Sequence, residues 1–437
     1  MERDALINSH SVSTKPTFSI KTSTILIGLM CFLMILPDDV FGWIPLYESI
    51  TPSSIAYIWL DYSFGIVQLF VLLIGIYYSV RLNKKGIFIL AAVMLIRELT
   101  YLLLGENSIF SASAYEMYLA VFVGYAFALW AEGGLRSFKE CERYFKWFLI
   151  TNMLTLYINF LMGGAGGILA GRYHSSNLDV GGTGTLCVLC ILFLANLAEK
   201  KWYDYIFIGL SAIGLFLSGS RANLLFLILI FGLYIVLNMF FKFKKKDQNS
   251  GRRSVFFRRF MMSGITLVAA VIIVVVNYDA IVSWIIGSRF QSLFSSQGLR
   301  TDDSFLGRTA SLTAGLDVLK HHPLGISGYF INLQQEIRMR GYPTFPHSTL
   351  LSMYLVFGPV VLILYGLWIR MLKKLRSVDV KYYLMILFLL ISTIIYGGPI
   401  ANFKIIFMIV MTTFLARQSI KEAQCAEAEE YVSGEAR

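Results

Sequence analysis

The chain has 437 residues, of which 57% are hydrophobic and only 15% are charged, and its mean hydropathy is +0.66. A water-soluble domain usually carries about a quarter of charged residues, so this composition excludes an ordinary soluble enzyme. The net charge of +11 does not indicate a nucleic-acid-binding protein, because the basic residues lie in short loops between apolar blocks and not on a folded soluble domain.

Apolar blocks about 18–20 residues long follow one another along the chain, and a helix of that length crosses a hydrocarbon core of about 30 Å. The first block starts near Ile20 and shows no small-residue cleavage site, so we interpret it as a spanning helix. The blocks predict an all-α integral membrane protein with about twelve transmembrane helices. The predicted spans lie near 20–37, 56–80, 86–104, 114–132, 145–163, 182–198, 203–219, 223–241, 260–277, 348–370, 382–397 and 399–416.

Basic residues gather in the loops that follow alternate spans, which fixes the orientation by the positive-inside rule. The tails 1–19 and 417–437 are then cytoplasmic, and transmembrane helices one to nine and ten to twelve occupy 20–278 and 348–416. Residues 279–347 form one large loop on the periplasmic or extracellular side. The basic stretch 242–259 is also suited to anionic lipid, although orientation alone accounts for it.

Arginines occur on the outer side, where the positive-inside rule does not expect them. Arg172 lies between spans five and six, near His174, and Arg221 lies in a turn of serine, glycine and alanine between spans seven and eight. An arginine at that depth is costly unless it faces a wet cavity or a partner. Because a guanidinium group matches phosphate oxygens with two parallel hydrogen bonds, these residues indicate a bound phosphate or diphosphate. The alternative is a snorkelling arginine that marks a helix end.

The long loop contains a predicted amphipathic helix with Arg308 near its start. Asp302 or Asp303 caps this helix, which begins near Phe305, and Pro323 ends it. The leucines that recur at helical spacing on its apolar side are Leu312, Leu316 and Leu319.

A second short helix near 332–340 brings Arg338 and Arg340 together, either as exposed charges or as ligand contacts. His347 then stands at the threshold of the tenth span, where a histidine can exchange a proton near neutral pH or simply cap a helix. We interpret His321 and His322 as structural, since a cation suits the end of a helix.

The cysteines and carboxylates indicate neither a redox site nor a metal site. Cys187 and Cys190 lie within an apolar block and are expected to pack against other helices. The outer segments hold few carboxylates and lack metal-binding spacings such as Asp-x-Asp. We therefore expect no metal and no cofactor.

Together these pieces resemble the O-antigen polymerase and O-antigen ligase superfamily of bacterial membrane glycosyltransferases, most closely over 170–365. The family often has His-Asn where this chain has His347-Ser348. The matching pieces are Ser218-Gly219-Ser220-Arg221-Ala222, Gly307-Arg308, His322-Pro323-Leu324-Gly325, Pro346-His347-Ser348 and Gly358.

The resemblance implies transfer of a glycan from undecaprenyl diphosphate to an acceptor hydroxyl at the outer face of the bacterial cytoplasmic membrane. Arg221, Arg308 and Arg172 would bind the diphosphate, and His347 would act as the general base. The residues that would contact the glycan are Arg338, Arg340 and His174. The implied partners are the lipid-linked oligosaccharide, membrane lipids and a chain-length regulator.

Three functions remain open on the sequence. A polymerase would join the glycan to another lipid-linked repeat unit, and the long outer loop favours this function. A ligase would transfer the glycan to lipid A–core. A flippase or other transporter would spread charged residues along several helices and usually shows internal repeats, whereas here charge is concentrated at the outer face and no duplicated halves are evident.

Overall fold

The computed structural model describes residues 138–161, 168–169, 172–175, 178, 180–242, 303–326, 336–342, 348–395 and 403–435, with isolated helical positions between 80 and 103. The predicted first, fourth and ninth spans, most of the second and third, and the tail 1–19 lie outside these residues. His347 and much of the predicted outer loop also lie outside them.

The described ranges are helical apart from one short hairpin, which agrees with the predicted all-α class. The helices are α1 (Phe138–Leu161), α2 (Val180–Ala195), α3 (Trp202–Leu217), α4 (Arg221–Lys242), α5 (Asp303–His321), α6 (Thr349–Phe357), α7 (Val361–Val378), α8 (Val380–Ile395) and α9 (Phe403–Glu435). The hairpin pairs β1 (Ile168–Leu169) with β2 (Arg172–Tyr173) in antiparallel fashion. No sequence pattern predicts this hairpin.

Helices α1 to α4 and α8 occupy the predicted fifth to eighth and eleventh spans at nearly the same bounds, although α1 starts earlier, at Phe138. Helix α9 covers residues 403–416 of the predicted twelfth span and continues to Glu435, so most of the tail 417–437 is helical. Within the described ranges, no helix is both long enough and apolar enough to cross a membrane.

The prediction of one continuous helix over 348–370 is wrong. Helix α6 ends at Phe357, a 3₁₀ turn covers Gly358–Val360, and α7 begins at Val361. Gly358, the C-cap of α6, has a φ of +74° and a ψ of −164°, a backbone conformation that is open almost only to glycine. Pro359 follows, and because it lacks an amide hydrogen it cannot extend the hydrogen-bond ladder of α6.

The apolar side predicted for α5 is also wrong. Leu312 and Leu316 are 45% and 47% exposed, and only Leu319 is partly buried. The residues that face the protein are Ser311, Ala314, Gly315 and Val318. Small side chains on this face let α5 approach α6 closely, which the leucine spacing could not reveal.

Helix α2 lies at the centre of the described helices. From Val180 to Leu194 only Thr185 is partly exposed, and α2 contacts α1, α3, α4, α8 and α9. A helix that is apolar all round has no polar face to give to water and is therefore buried. Phe193 packs edge-on against Phe145 of α1, with 5.6 Å between the ring centroids.

Two buried ion pairs show that α1, α3 and α8 start at the same end of this group of helices. Lys146, near the start of α1, pairs with Asp204 at the start of α3. Glu142 pairs with Lys381, the second residue of α8. We call this end the ion-pair end.

The opposite end holds the last turns of α1, α3 and α8 and the first turns of α2, α4 and α6. Ser348, which precedes α6, donates a hydrogen bond of 2.7 Å to the carbonyl oxygen of Ile394, near the end of α8. Arg172 and Arg221 lie at this end, in the hairpin before α2 and at the start of α4. We call it the arginine end.

Candidate active site

The hairpin that carries Arg172 is fastened to the last turns of α1. Its register pairs Leu169 with Arg172. The ring of Tyr173 packs edge-on against Phe160, with 4.9 Å between centroids. The carbonyl oxygen of His174 accepts a 3.0 Å hydrogen bond from Nδ2 of Asn159. These contacts fix the position of the backbone at Arg172.

Ser175 connects the same hairpin to α2. It is completely buried, and its backbone N–H donates to Oγ1 of Thr183 over 2.9 Å. Its hydroxyl donates to the carbonyl oxygen of Asn152 over 2.7 Å and lies equally close to Oγ1 of Thr155. Buried polar groups that are fully hydrogen-bonded hold their surroundings rigid, so Ser175 locks the hairpin between α1 and α2.

His174 takes part in this anchoring. It is half-buried, and its Nδ1 lies 3.2 Å from the carbonyl oxygen of Ser175. Its predicted contact with a glycan stays a prediction.

The turn between α3 and α4, which leads into Arg221, packs against the side chain of Arg172. Gly219 has a φ of +61°, and a Cβ built on it would fall 2.8 Å from Cδ and 2.9 Å from Cγ of Arg172. The stem of Arg172 therefore lies directly across Gly219, two residues before Arg221. Both the left-handed backbone and this close approach require glycine at that position.

Ser218 and Ser220 stabilise the turn by hydrogen bonds. Ser218 is completely buried and donates to the carbonyl oxygen of Leu215 over 2.8 Å. The carbonyl oxygen of Ser220 accepts the backbone N–H of Leu224 over 3.2 Å, which opens α4. The motif around Arg221 thus builds a tight turn that presents the arginine as the first residue of a helix.

Sequence reasoning missed Asn223 and the glycines of α2. Asn223 is completely buried, and its Nδ2 donates to the carbonyl oxygen of Gly181 over 3.0 Å and to Oγ of Ser220 over 2.9 Å. A Cβ on Gly184 would fall 2.5 Å from this nitrogen. The available signal was the run Gly181-Gly182-Thr183-Gly184 at the head of an apolar block, since closely spaced small residues indicate close helix packing.

Among the described helices, α2, α4, α6 and α9 direct their first turns towards the arginine end. The N-terminus of a helix carries a partial positive charge and backbone N–H groups without partners in the helix, so it attracts anions. Two arginines beside such termini make this end strongly favourable for a phosphorylated ligand.

For Arg308 and His347 the structure describes only the neighbouring elements and not the side chains. Arg308 belongs to α5, which packs against α6, and the structure does not describe its side chain. His347 lies outside the described residues, but Ser348 accepts the N–H of Leu351 over 3.4 Å and so caps α6. Because asparagine and serine cap helices equally well, the departure from the family's His-Asn pattern preserves this cap.

Two glycines of the recognised motifs join the outer loop to α6. Gly325 has a φ of +89°, and a Cβ on it would fall 2.7 Å from the carbonyl oxygen of Leu355. A Cβ on Gly358 would fall 2.7 Å from the carbonyl oxygen of Leu324. The N–H of Ile326 donates to the same oxygen of Leu355 over 2.6 Å. The two backbones therefore touch, which explains why both positions are glycine.

Arg340 fastens the segment 336–342 to α5. Its Nη2 and Nε lie 2.6 and 2.8 Å from Oε1 of Glu336, and its Nη1 lies 3.4 Å from Oδ2 of Asp317. Burial alone would raise the pKa of Glu336, but hydrogen bonds from Arg340 and His322 outweigh it and hold that pKa below its usual range. Arg340 thus has a structural role, whereas Arg338 is exposed.

Three of the described cysteines, Cys141, Cys187 and Cys190, are buried, whereas Cys425 is exposed. Cys187 and Cys190 are completely buried in α2, as the sequence predicted, and both are free thiols. Burial, together with the neighbouring carboxylates of Glu140 and Glu142, raises the pKa of the Cys141 thiol to about 12. Among the described residues, no group of three histidine, cysteine, aspartate or glutamate side chains is placed to hold a metal ion.

Comparison with protein families matches residues 206–366 to the family described as O-antigen ligase. This segment runs from within α3 to within α7 and includes Arg221, Arg308 and His347. The resemblance to the O-antigen polymerase and ligase superfamily is thereby confirmed over that segment. It supports an enzyme of polymerase or ligase type and a membrane location. No curated protein matches the chain.

Proposed function

We propose that this chain, which carries an O-antigen ligase segment over 206–366, is a membrane glycosyltransferase that moves a glycan from undecaprenyl diphosphate to an acceptor hydroxyl. The observation that carries this proposal is the contact between the stem of Arg172 and Gly219, two residues before Arg221 at the start of α4. A diphosphate is the anion that two neighbouring guanidinium groups and helix N-termini suit best.

The leaving group determines what these arginines do. When the bond between the sugar and the diphosphate oxygen breaks, the bonding electrons stay with that oxygen and negative charge builds up on it. Arg172 and Arg221, with Arg308 as a third candidate, stabilise this charge, because fixed positive groups act most strongly where charge develops in the transition state. They take the role that a metal ion has in other glycosyltransferases, so the proposed reaction needs no metal.

His347 is the proposed general base. It accepts the proton of the acceptor hydroxyl while the hydroxyl oxygen forms the new glycosidic bond. Its neighbour Ser348 caps α6 at the arginine end, which supports a place for the histidine near the diphosphate. Arg338 and His174 are candidates for glycan contact. Arg340 remains a weaker candidate because Glu336 and Asp317 engage it.

The proposed location is the bacterial inner membrane, with about twelve spans, both termini in the cytoplasm and residues 279–347 outside. Large apolar side chains exposed on α3 and α4 support this location, since soluble proteins rarely expose contiguous apolar faces of such size. These side chains are Ile206, Ile213, Phe216, Leu225, Ile228 and Leu229. A chain-length regulator is a proposed partner.

We favour a polymerase because the outer loop is long, while the description of the matched family favours a ligase. Glycan analysis of a strain that lacks the gene tests all candidates. Lipid A–core capped with a single repeat unit would identify a polymerase. Polymer left on undecaprenyl diphosphate would identify a ligase. Repeat units retained at the inner face would refute both and indicate a flippase.

A further inference from the structure

We infer that Asn223 is a positioning residue, which holds the first turn of α4 on the first turn of α2 and thereby sets Arg221 relative to Arg172. A buried amide is costly unless its polar atoms are hydrogen-bonded, and Asn223 is completely buried. The consequence for catalysis rests on the proposed function, whereas the anchoring itself does not.

The nitrogen of the Asn223 side chain does the anchoring. Nδ2 donates to the carbonyl oxygen of Gly181 over 3.0 Å and to Oγ of Ser220 over 2.9 Å. Gly184 leaves no room for a side chain between the two turns, because its Cβ would fall 2.5 Å from Nδ2. Within the described part of the chain, Oδ1 of Asn223 accepts no hydrogen bond. The donor atom, and not the acceptor, therefore joins the helices.

The hydrogen bond to Gly181 distinguishes this role from ordinary helix capping. A bond between Asn223 and Ser220 stays within the first turn of α4 and would be enough to stabilise that helix alone. The bond to Gly181 leaves α4 and fixes its direction against another helix. Asn223 lies two residues after Arg221, so the position of the arginine depends on this hydrogen bond.

Arg172 is fixed to the same turn of α2. Oγ1 of Thr183 accepts the backbone N–H of Ser175 over 2.9 Å. Ser175 lies three residues after Arg172, just beyond the hairpin. Residues 181–184, which we call the glycine turn, therefore anchor both arginine-bearing segments. A shift of either anchor changes the spacing of the two guanidinium groups that the diphosphate must bridge.

The discriminating variant is Asn223→Asp, which keeps the shape and Oδ1 but turns the donor atom into an acceptor that faces the oxygen of Gly181. Asn196→Asp is the matched control, because its Nδ2 donates to the carbonyl oxygen of Leu192 over 2.8 Å at the other end of α2. Hydrogen exchange is measured on the full chain in lipid nanodiscs. We expect faster exchange at 180–184 and 219–224 in Asn223→Asp but not in Asn196→Asp. Unchanged exchange at both segments overturns the anchoring.

The catalytic consequence is tested by combining Asn223→Asp with Arg221→Lys. With Arg221 intact, kcat/KM should fall about tenfold, the factor that corresponds to one ordinary hydrogen bond. In the Arg221→Lys background the further loss should be much smaller, because residues that act through each other are not additive.

An equal loss in both backgrounds overturns the positioning role. Retained activity in Asn223→Asp also overturns it, since Oδ1 would then be the working atom. If Arg221→Lys keeps full activity, the proposed function fails, and the exchange data alone decide whether Asn223 anchors α4.

Discussion

The two ends of the described helices are held together by different chemistry. At the ion-pair end, Lys146 pairs with Asp204 and Lys381 pairs with Glu142. At the arginine end, the anchors are neutral: Ser175, Thr183 and Asn223 form hydrogen bonds within and between the segments. Ion pairs hold helices but cancel charge, whereas neutral anchors hold helices without adding negative charge beside the arginines. Among the described residues, charged pairs therefore join the helices at one end, and neutral hydrogen bonds join the arginine-bearing segments at the other.

The largest expected effect comes from removing Arg221. Arg221→Ala should lower glycan transfer about 100- to 1000-fold, as the loss of one group that stabilises a developing oxyanion does. Arg221→Lys should also be impaired, because an ammonium group cannot offer a planar fork. Glycan length is compared at matched membrane levels of the protein. Arg370→Ala, on the exposed side of α7, is the control, and normal chain length in Arg221→Ala would contradict the assignment.

The ion-pair end should show the opposite behaviour. Asp204→Ala leaves Lys146 buried without its partner and should destabilise the protein by about 3–5 kcal/mol. Per folded molecule, transfer activity should stay close to wild type, because the pair lies far from the arginines along α1 and α3. Thermal unfolding in detergent and specific activity are measured on the same preparation. A selective loss of activity without a loss of stability would break the contrast between the two ends.

A smaller effect is expected at the turn itself. Gly219→Ala places a methyl group against the stem of Arg172 and strains a backbone with a φ of +61°. We expect a loss of about tenfold in kcat/KM with only a modest change in stability. Gly209→Ala is the control, since a Cβ there meets nothing within 4 Å. Equal activity of the two variants would show that Arg172 does not depend on this turn.

The smallest effect concerns acidity in the outer loop. Because the pKa of Glu336 is held below its ordinary value of 4.5, its ion pair with Arg340 stabilises the fold above that pH. This contribution disappears as the pH falls through the lower, folded-state pKa. The protection of the backbone amides of 336–342 against hydrogen exchange should therefore fall on strong acidification. Glu336→Gln should remove most of this pH dependence. Asp317, His321 and His322 also border Arg340 or Glu336 and account for any remainder.

The helices were predictable because a long apolar run carries its own signal, which does not depend on the rest of the fold. The break at Gly358 had a local signal in the Gly358-Pro359 pair, but the surrounding apolar residues outweighed it. The outward leucines of α5 were misjudged because the spacing of leucines reveals a face without revealing which partner covers it. The small residues Ser311, Ala314 and Gly315 marked the packed face instead.

The resemblance implied that Arg172 and Arg221 bind one ligand, but the contact of Arg172 with Gly219 could not be predicted. It depends on the path of α2 and α3 between them and on a hairpin that is held by Ser175 and Asn159. The sequence did indicate that each arginine was exceptional, because charged residues beside apolar helices are costly. The packing of Arg172 on the turn before Arg221 is a tertiary effect, and only the glycine turn hinted at the close packing that produces it.

The close approach of Gly325 to Leu355 and of Gly358 to Leu324 has a consequence for loop exchange between related proteins. Each glycine leaves room for a carbonyl oxygen of the other segment, so a side chain at either position would clash with that segment. A grafted outer loop with a side chain at position 325 would meet the carbonyl oxygen of Leu355 even if every other residue matched. Chimeras intended to change the acceptor should therefore cut the chain outside 325–358 rather than within it.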